Sequence, residues 1–211
     1  MSVDAVAELR DVAHCRYGVA VHAHGGSGVA GDVAVVRRTR HGLLAAVVDG
    51  LGHGPEAASA AVVAADVIAA SSDGAATASV RRCHRALRNT RGAAVSVASL
   101  SIGQHTMVWT GVGSVEGRLL RARSFPATQV ASLRLNSGVV GNDVSTITAQ
   151  RVSLEPGDLL ILASDGVHPS FANDVDPAGS PQELADGILA RHGRTTDDAL
   201  VLVVRYLPET P

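Results

Sequence analysis

The stretch Leu43-Leu44-Ala45-Ala46-Val47-Val48-Asp49-Gly50-Leu51-Gly52-His53-Gly54 decides how the chain is read. Its first half is a continuous apolar run, too short for a helix of its own and rich in Val, which predicts a buried strand. Asp49 then falls at a strand end, where a rigid sheet can aim it into a site. Gly50, Gly52 and Gly54 allow sharp turns and close approach of a ligand to the backbone. Pro55-Glu56 opens a helix, with Pro in the first turn and an acid near the positive end of the helix dipole. Just upstream, Asp32–Arg38 and Gly42–Asp49 flank the polar turn Thr39-Arg40-His41, a hairpin signal. Tyr17–His22 reads as a first strand, followed by the loop His24–Gly31.

Downstream, two helices are expected over Pro55–Ala70 and Ala75–Asn89. The second sets Val80, Cys83, His84 and Leu87 at the spacing of one core-facing stripe, which makes His84 a packing residue; the apolar face of the first is read as core. Short β runs follow at Ala93–Ile102, His105–Val112 and Val115–Arg123. Ser124–Asp143, with Pro126, is the least periodic part. Glu155-Pro156-Gly157-Asp158 turns into the apolar Leu159–Ser164, which ends in Asp165-Gly166, a second strand–Asp–Gly arrangement. A helix near Pro181–His192 and a strand near Ala199–Tyr206 complete the chain, and no internal repeat or linker is present. Two helices inserted together among antiparallel-looking strands predict an α+β fold, a two-sheet sandwich with helices outside.

A length of 211 residues supports one sizeable core and suggests a single domain over 1–211. Hydrophobic content of 46% with 18% charged residues describes a folded globular chain. Aromatics at 2% leave the core to Val, Leu and Ala and make base stacking a poor binding mode. With a net charge of -2 and arginines that read as scattered, no nucleic-acid partner is expected. Cys15 and Cys83 match no metal spacing and read as buried or incidental thiols. Met1-Ser2-Val3-Asp4 lacks the features of a secretion signal, and the most apolar helix is too short for a bilayer; a cytoplasmic protein without a membrane partner is the expectation.

Four acidic positions lie at the edges of apolar strands: Asp32, Asp49, Asp165 and the pair Asp197-Asp198. Carboxylates that converge at strand ends repel one another unless a cation neutralises them, and an all-oxygen donor set suits Mg²⁺ or Mn²⁺. One metal needs two or three of these groups; two metals need a bridging carboxylate. Taken singly, a strand-end aspartate more often just starts a turn, as Asp73-Gly74 and Asp186-Gly187 are expected to do.

In order, Gly31-Asp32, Val48-Asp49-Gly50-Leu51-Gly52-His53-Gly54, Leu162-Ala163-Ser164-Asp165-Gly166-Val167 and Asp197-Asp198-Ala199 resemble the motifs of metal-dependent Ser/Thr protein phosphatases (PPM type). Within that group they are most similar to the bacterial SpoIIE class and its short stand-alone members. Trp109-Thr110-Gly111-Val112-Gly113, Ser137-Gly138-Val139-Val140-Gly141 and Leu154-Glu155-Pro156-Gly157-Asp158-Leu159 support the match, which spans about Tyr17 to Tyr206. The resemblance implies a central antiparallel β-sandwich flanked by helix pairs, with two Mn²⁺ or Mg²⁺ ions at one end. It implies that Asp49 bridges both ions, that the Gly50 carbonyl and Asp32 serve one of them, and that Asp165 and Asp197, with Asp198 as the alternative, hold the other. Asp49 and Asp32 are thereby the catalytic pair, and a hydroxide between the ions attacks a phosphoserine or phosphothreonine in line. The implied substrate is a phosphorylated STAS-domain antagonist or stressosome-type protein in a stress-response, partner-switching pathway, met by a monomeric enzyme. Alternatives are a catalytically silent module that binds a signalling partner and an enzyme for a small phosphorylated metabolite.

The eukaryotic branch has a His two residues after the bridging Asp and a phosphate-gripping Arg before the first acid; Leu51 and Gly28 stand there. Leu200 replaces the hydroxyl residue common after the final acids. His53 and His168 lie just beyond the ligand positions and are candidate proton donors, with exposed loop histidines the equal alternative; His22 and His24 flank the first loop. Gly26-Ser27-Gly28-Val29-Ala30-Gly31 fits a dinucleotide fingerprint, but β-rich sequence follows where a helix must begin. Ser27 and Ser164 have no His–acid partner in the sequence that would make a nucleophile.

Overall fold

The computed structural model describes residues 11–24, 30–71, 74–122, 127–144, 146–173 and 175–207. Twelve strands and three α-helices follow one another along these residues: β1 (Asp11–Val12), β2 (Cys15–His22), β3 (Asp32–Arg38), β4 (Gly42–Gly50), α1 (Pro55–Ala69), α2 (Ala76–Ala86), β5 (Ala93–Ser101), β6 (Thr106–Val112), β7 (Glu116–Arg121), β8 (Thr128–Ser132), β9 (Leu135–Asn136), β10 (Gln150–Ser153), β11 (Leu159–Ala163), α3 (Pro181–His192) and β12 (Ala199–Tyr206), with a 3₁₀ turn at Pro169–Asn173. One sheet runs β1-β2-β12-β11-β7-β8 and the other β10-β6-β5-β4-β3, with β9 added in parallel to β6. This is the expected α+β sandwich.

Alternation along the strands builds the layers. Leu43, Ala45 and Val47 of β4 join Leu160 and Leu162 of β11 and Leu200, Leu202 and Val204 of β12 in the core between the sheets. Leu44, Ala46 and Val48 face the other way, onto Ala60, Ala61, Ala64 and Ile68 of α1 and Val80 and Cys83 of α2. On the far side Ile161, Ala163, Val201 and Val203 pack against Leu184, Ala185 and Ile188 of α3. The order is therefore helix, sheet, sheet, helix. A strand buried on both faces carries no polar alternation, which is why β4 reads as an unbroken apolar run.

Alanine-rich α1 is a strong helix former, and its small side chains bring its backbone close to the sheet. A Cβ on Gly50 would lie 2.1 Å from the Ala57 carbonyl oxygen. Gly50 is thus fixed by the helix lying on it rather than by a turn or an approaching ligand. Gly52 and Gly54 do occupy the left-handed region, at φ 90° and 83°.

Other expectations shift. The segment read as least periodic contains β8 and β9; β10 and the two-residue β1 were likewise not anticipated, and Ser164 lies just past β11 rather than inside it. Asp186 does not start a turn: it sits within α3, where its Oδ1 accepts from Gln182 Nε2 at 3.0 Å. The arginines are less scattered than they read, since Arg81, Arg82 and Arg85 fall within α2 and Arg88 follows just past its end. Cys15 and Cys83 are free and buried, and burial pushes both thiols up to about 12. His84 Nδ1 accepts from the Gly141 amide at 3.1 Å, the packing role expected of it. Gly26, Ser27, Gly28, Val29, Asp73 and Pro126 lie outside the described residues. Gly31 runs directly into β3, so no helix opens where a dinucleotide site needs one.

Candidate active site

The hairpin register sets Asp32 of β3 directly opposite Asp49 of β4. Asp49 continues the inward row Leu43–Ala45–Val47, and Asp32 continues the inward-packed Ala34 and Val36. In the facing sheet, β11 and β12 pair antiparallel. Their inward rows lead past the strand ends to Ser164 and Asp198, with Asp165 and Asp197 on the adjoining loops. Two antiparallel pairs, one from each sheet, thus deliver all five carboxylates to one end of the sandwich.

They occupy two levels. Asp32 is 6% exposed and Asp198 8%, and Ser164 lies between the sheets with them. Asp49 is half-buried, and Asp165 and Asp197 are exposed. Ser164 Oγ donates to Asp32 Oδ2 at 2.7 Å while accepting from the Leu200 amide at 2.8 Å. This hydroxyl ties β12 to the acid of β3, a role hidden in the sequence except for its shared parity with Leu160 and Leu162.

The final acidic pair divides its work. Asp198 accepts from the His24 amide on Oδ1 at 2.6 Å and from the Gly31 amide on Oδ2 at 2.7 Å. The Gly31 carbonyl in turn accepts from the Gly50 amide at 3.0 Å. Both oxygens of Asp198 are therefore engaged in holding backbone beside Asp32 and Gly50. Asp197 Oδ1 accepts from the Asp198 amide at 2.9 Å, and the rest of its carboxylate faces outward. Gly166 is clamped against the same turn, since a Cβ there would lie 2.0 Å from the Asp198 carbonyl oxygen.

Burial first, then the charges of Asp198, Asp165 and Asp197, push Asp32 up to about 7 against the lowering hydrogen bond from Ser164. Asp49 is pushed up to about 8 by burial, by the charges of Asp32, Asp165 and Asp197, and by a hydrogen bond with Asp165. Among the described residues no Arg or His forms an ion pair with any of the five. Like-charged carboxylates brought this near repel unless a proton or a cation offsets them; among the described residues no three of these groups stand close enough together to cage an ion. An oxygen-only donor set of this charge suits a hard divalent cation.

His53 is exposed beside Gly52, and His168 is exposed, with Nδ1 2.8 Å from Ser170 Oγ. Neither ring makes a hydrogen bond to the carboxylates. Ser164 has an acid but no histidine as partner, which leaves no nucleophilic triad. No helix among the described residues is long and apolar enough to cross a membrane.

The family model described as Stage II sporulation protein E (SpoIIE) matches residues 39–207, which include Asp49, Asp165, Asp197 and Asp198, with Asp32 just ahead of them. Phosphoserine phosphatase RsbX of Bacillus subtilis (strain 168) is 23% identical over 164 residues, 77% of this chain and 80% of RsbX. A chain solved in work on the bacterial stressosome, as a modular system adapted to control secondary messenger signaling, superposes with a TM-score of 0.80 at 28% identity, covering 90% of this chain and 99% of that one. RsbX in complex with magnesium gives 0.76 at 22% identity over 92% of this chain and 98% of its own. The Mycobacterium tuberculosis serine/threonine phosphatase PstP/Ppp gives 0.71 at 16% over 94% and 100%. Four layers, a cluster of acids at one end of the sandwich and a family match over most of the sequence agree: the chain belongs to the SpoIIE family and is a serine/threonine phosphatase of the PP2C class, similar to RsbX.

Proposed function

We propose that the chain hydrolyses phosphoserine or phosphothreonine on a bacterial regulatory protein, of the STAS-domain antagonist or stressosome type, using two Mn²⁺ or Mg²⁺ ions. The observation that carries this reading is the register pairing of Asp32 with Asp49, facing Asp165 and Asp197 from the other sheet. Asp49 is the central carboxylate, with charged neighbours on both sides, and suits a bridging position. Asp32 and the Gly50 carbonyl serve one ion; Asp165 and Asp197 serve the other. Asp197 is preferred to Asp198 because both oxygens of Asp198 already accept backbone amides. The ions supply a water of lowered pKa and offset charge on the phosphoryl oxygens. Ser164 fixes the orientation of Asp32, and Asp198 fixes the backbone at Gly31 and, through it, at Gly50. His53 and His168 remain the candidates for donating a proton to the leaving serine oxygen. The same reading takes the chain as one monomeric, cytoplasmic domain.

Hydrolysis of p-nitrophenyl phosphate by the purified protein, with Mn²⁺, with Mg²⁺ and with EDTA, tests the reading beside Asp49→Asn. Turnover that needs metal and falls more than about 10²-fold in the variant is expected. Unimpaired turnover in Asp49→Asn would overturn the two-ion assignment.

A further inference from the structure

Every one of the 18 basic residues is arginine, and five of them lie between residues 75 and 92, where there is no acidic residue. Arg81 and Arg85 stand one turn apart on α2, and Arg88, two residues past its end, continues the i, i+4, i+7 spacing in the turn that follows. All three are exposed, while Val80, Cys83 and Leu87 on the opposite side are buried. Among the described residues none of the three has an ion-pair partner. Their neighbours are used internally: Arg82 donates to Ser71 Oγ at 2.9 Å, and Arg91 Nε to Glu56 Oε2 at 2.6 Å. Like charges stacked at this spacing cost helix stability, so folding gives no account of the row.

The row also forms one wall of a surface cleft of about 350 Å³, opposite Val144 and Ile147. The two walls are bolted together, because His84 accepts from the Gly141 amide and Leu87 packs directly beneath Gly141. The row points toward the chemistry. α2 runs through Asn89–Gly92 into β5, whose first residue, Ala93, pairs with Gly50. Arg91 reaches back over Gly52, where a Cβ would lie 2.8 Å from its Nη1. At 1.5 Å rise per residue the row is about 10 Å long, matched by roughly three residues of extended peptide.

We infer that the exposed arginine row of α2 and the turn after it, with the apolar wall at Val144 and Ile147, docks an acidic segment of the phosphoprotein substrate close in sequence to the phosphorylated residue. The inference rests on the phosphatase reading above and adds a specificity surface to it. A polypeptide suits the cleft better than a nucleic acid: Val144 and Ile147 give one wall aliphatic surface, no Phe, Tyr or Trp among the described residues lines it, and the chain as a whole is negative. Arginine offers two parallel donors to a carboxylate, so three in a row select carboxylates at peptide spacing.

The test compares p-nitrophenyl phosphate with two phosphoserine peptides, one carrying aspartates a few residues to either side of the phosphoserine and one carrying serines there. The expected result is a kcat/KM about tenfold higher on the acidic peptide at low salt, a preference that shrinks as salt screens it. R81E/R85E/R88E, with R81Q/R85Q/R88Q as a milder companion, should lose the preference while keeping p-nitrophenyl phosphate turnover. Equal kcat/KM on both peptides in the parent protein, or a preference that survives both triple variants, overturns the docking face. Fluorescence anisotropy of the labelled, unphosphorylated acidic peptide decides the matter without turnover: binding lost in the triple variants supports the face, and no binding by the parent overturns it. A single-stranded oligonucleotide bound as tightly, with the same loss, would overturn it as a polyanion patch. Absence of turnover on all three substrates with either metal counts against the phosphatase reading alone.

Discussion

The two ends of β11 treat buried carboxylates in opposite ways. Asp158, at its start, is 1% exposed and is met by Arg121 through Nε at 3.1 Å and Nη2 at 3.3 Å, with the Glu155 amide on Oδ2 at 2.8 Å. Past its other end lies Asp32, 6% exposed, with one serine hydroxyl and three further acids acting on its charge. The fold is able to supply a fitted guanidinium when a buried acid serves stability. Where it leaves several acids without one, a bound cation is the counter-charge proposed above, which is why that end, and not the Arg121 end, carries the proposed chemistry.

Substitutions break this contrast most sharply. Asp49→Asn should abolish turnover yet raise the melting temperature of the metal-free protein by about 2–5 °C at pH 8 and above, where Asp49 would otherwise ionise beside its acidic neighbours. Thermal melts in EDTA check this, and a lowered melting temperature would mean that the cluster is compensated after all. Asp158→Asn should do the reverse. It costs about 1–3 kcal/mol, because Arg121 loses a charged partner and keeps only its ion pair with Glu155, while the folded fraction keeps its specific activity, as denaturant titration and assays on p-nitrophenyl phosphate will show.

Proton linkage sharpens the same comparison. Asp32 and Asp49 have folded-state values of about 7 and about 8, above the ordinary carboxylate value of 3.8. Their contribution to the metal-free fold is therefore fully present below about pH 4 and is lost as pH rises through 7 to 8. Since cation and proton compete for the same oxygens, the thermal shift produced by Mg²⁺ or Mn²⁺ should be larger at pH 8 than at pH 5.5, and an equal shift at both would separate metal binding from these carboxylates. The smallest effects concern the last pair. Asp197→Asn should raise the Mn²⁺ concentration for half-maximal activity about tenfold with little change in stability. Asp198→Asn should cost about 1–2 kcal/mol, because two amides lose a charged acceptor. Identical behaviour of the two variants in both measurements would mean that they do not divide the work as their hydrogen bonds indicate.

Legibility in the sequence followed burial. β4, β11 and β12 are covered on both faces, so their apolar runs and terminal acids stand out, and the sandwich with its acidic end is legible in the sequence alone. β8 and β10 are mostly exposed, with burial alternating weakly or not at all, and edge strands of this kind leave little periodic signal. The choice between Asp197 and Asp198 was open because neighbouring acids differ only in which way each points. That is set by the amides of His24 and Gly31, more than 160 residues away. In the sequence Ser164 suggests only a nucleophile, because its partner Asp32 is 132 residues distant. The arginine row was misjudged by counting charge over the whole chain rather than along one helix.

The hairpin register of Asp32 and Asp49 has a consequence for how the site comes into being. These two acids meet across a local turn, whereas Asp165 waits for β11 to join its sheet and the Asp197–Asp198 pair for β12 to insert between β2 and β11. Local pairings form early and distant ones late. On that ground a refolding chain should hold half of its site, without turnover, until the central strand of the opposite sheet is in place. Activity on this scaffold is a late event of assembly, and a partly folded copy is an idle one.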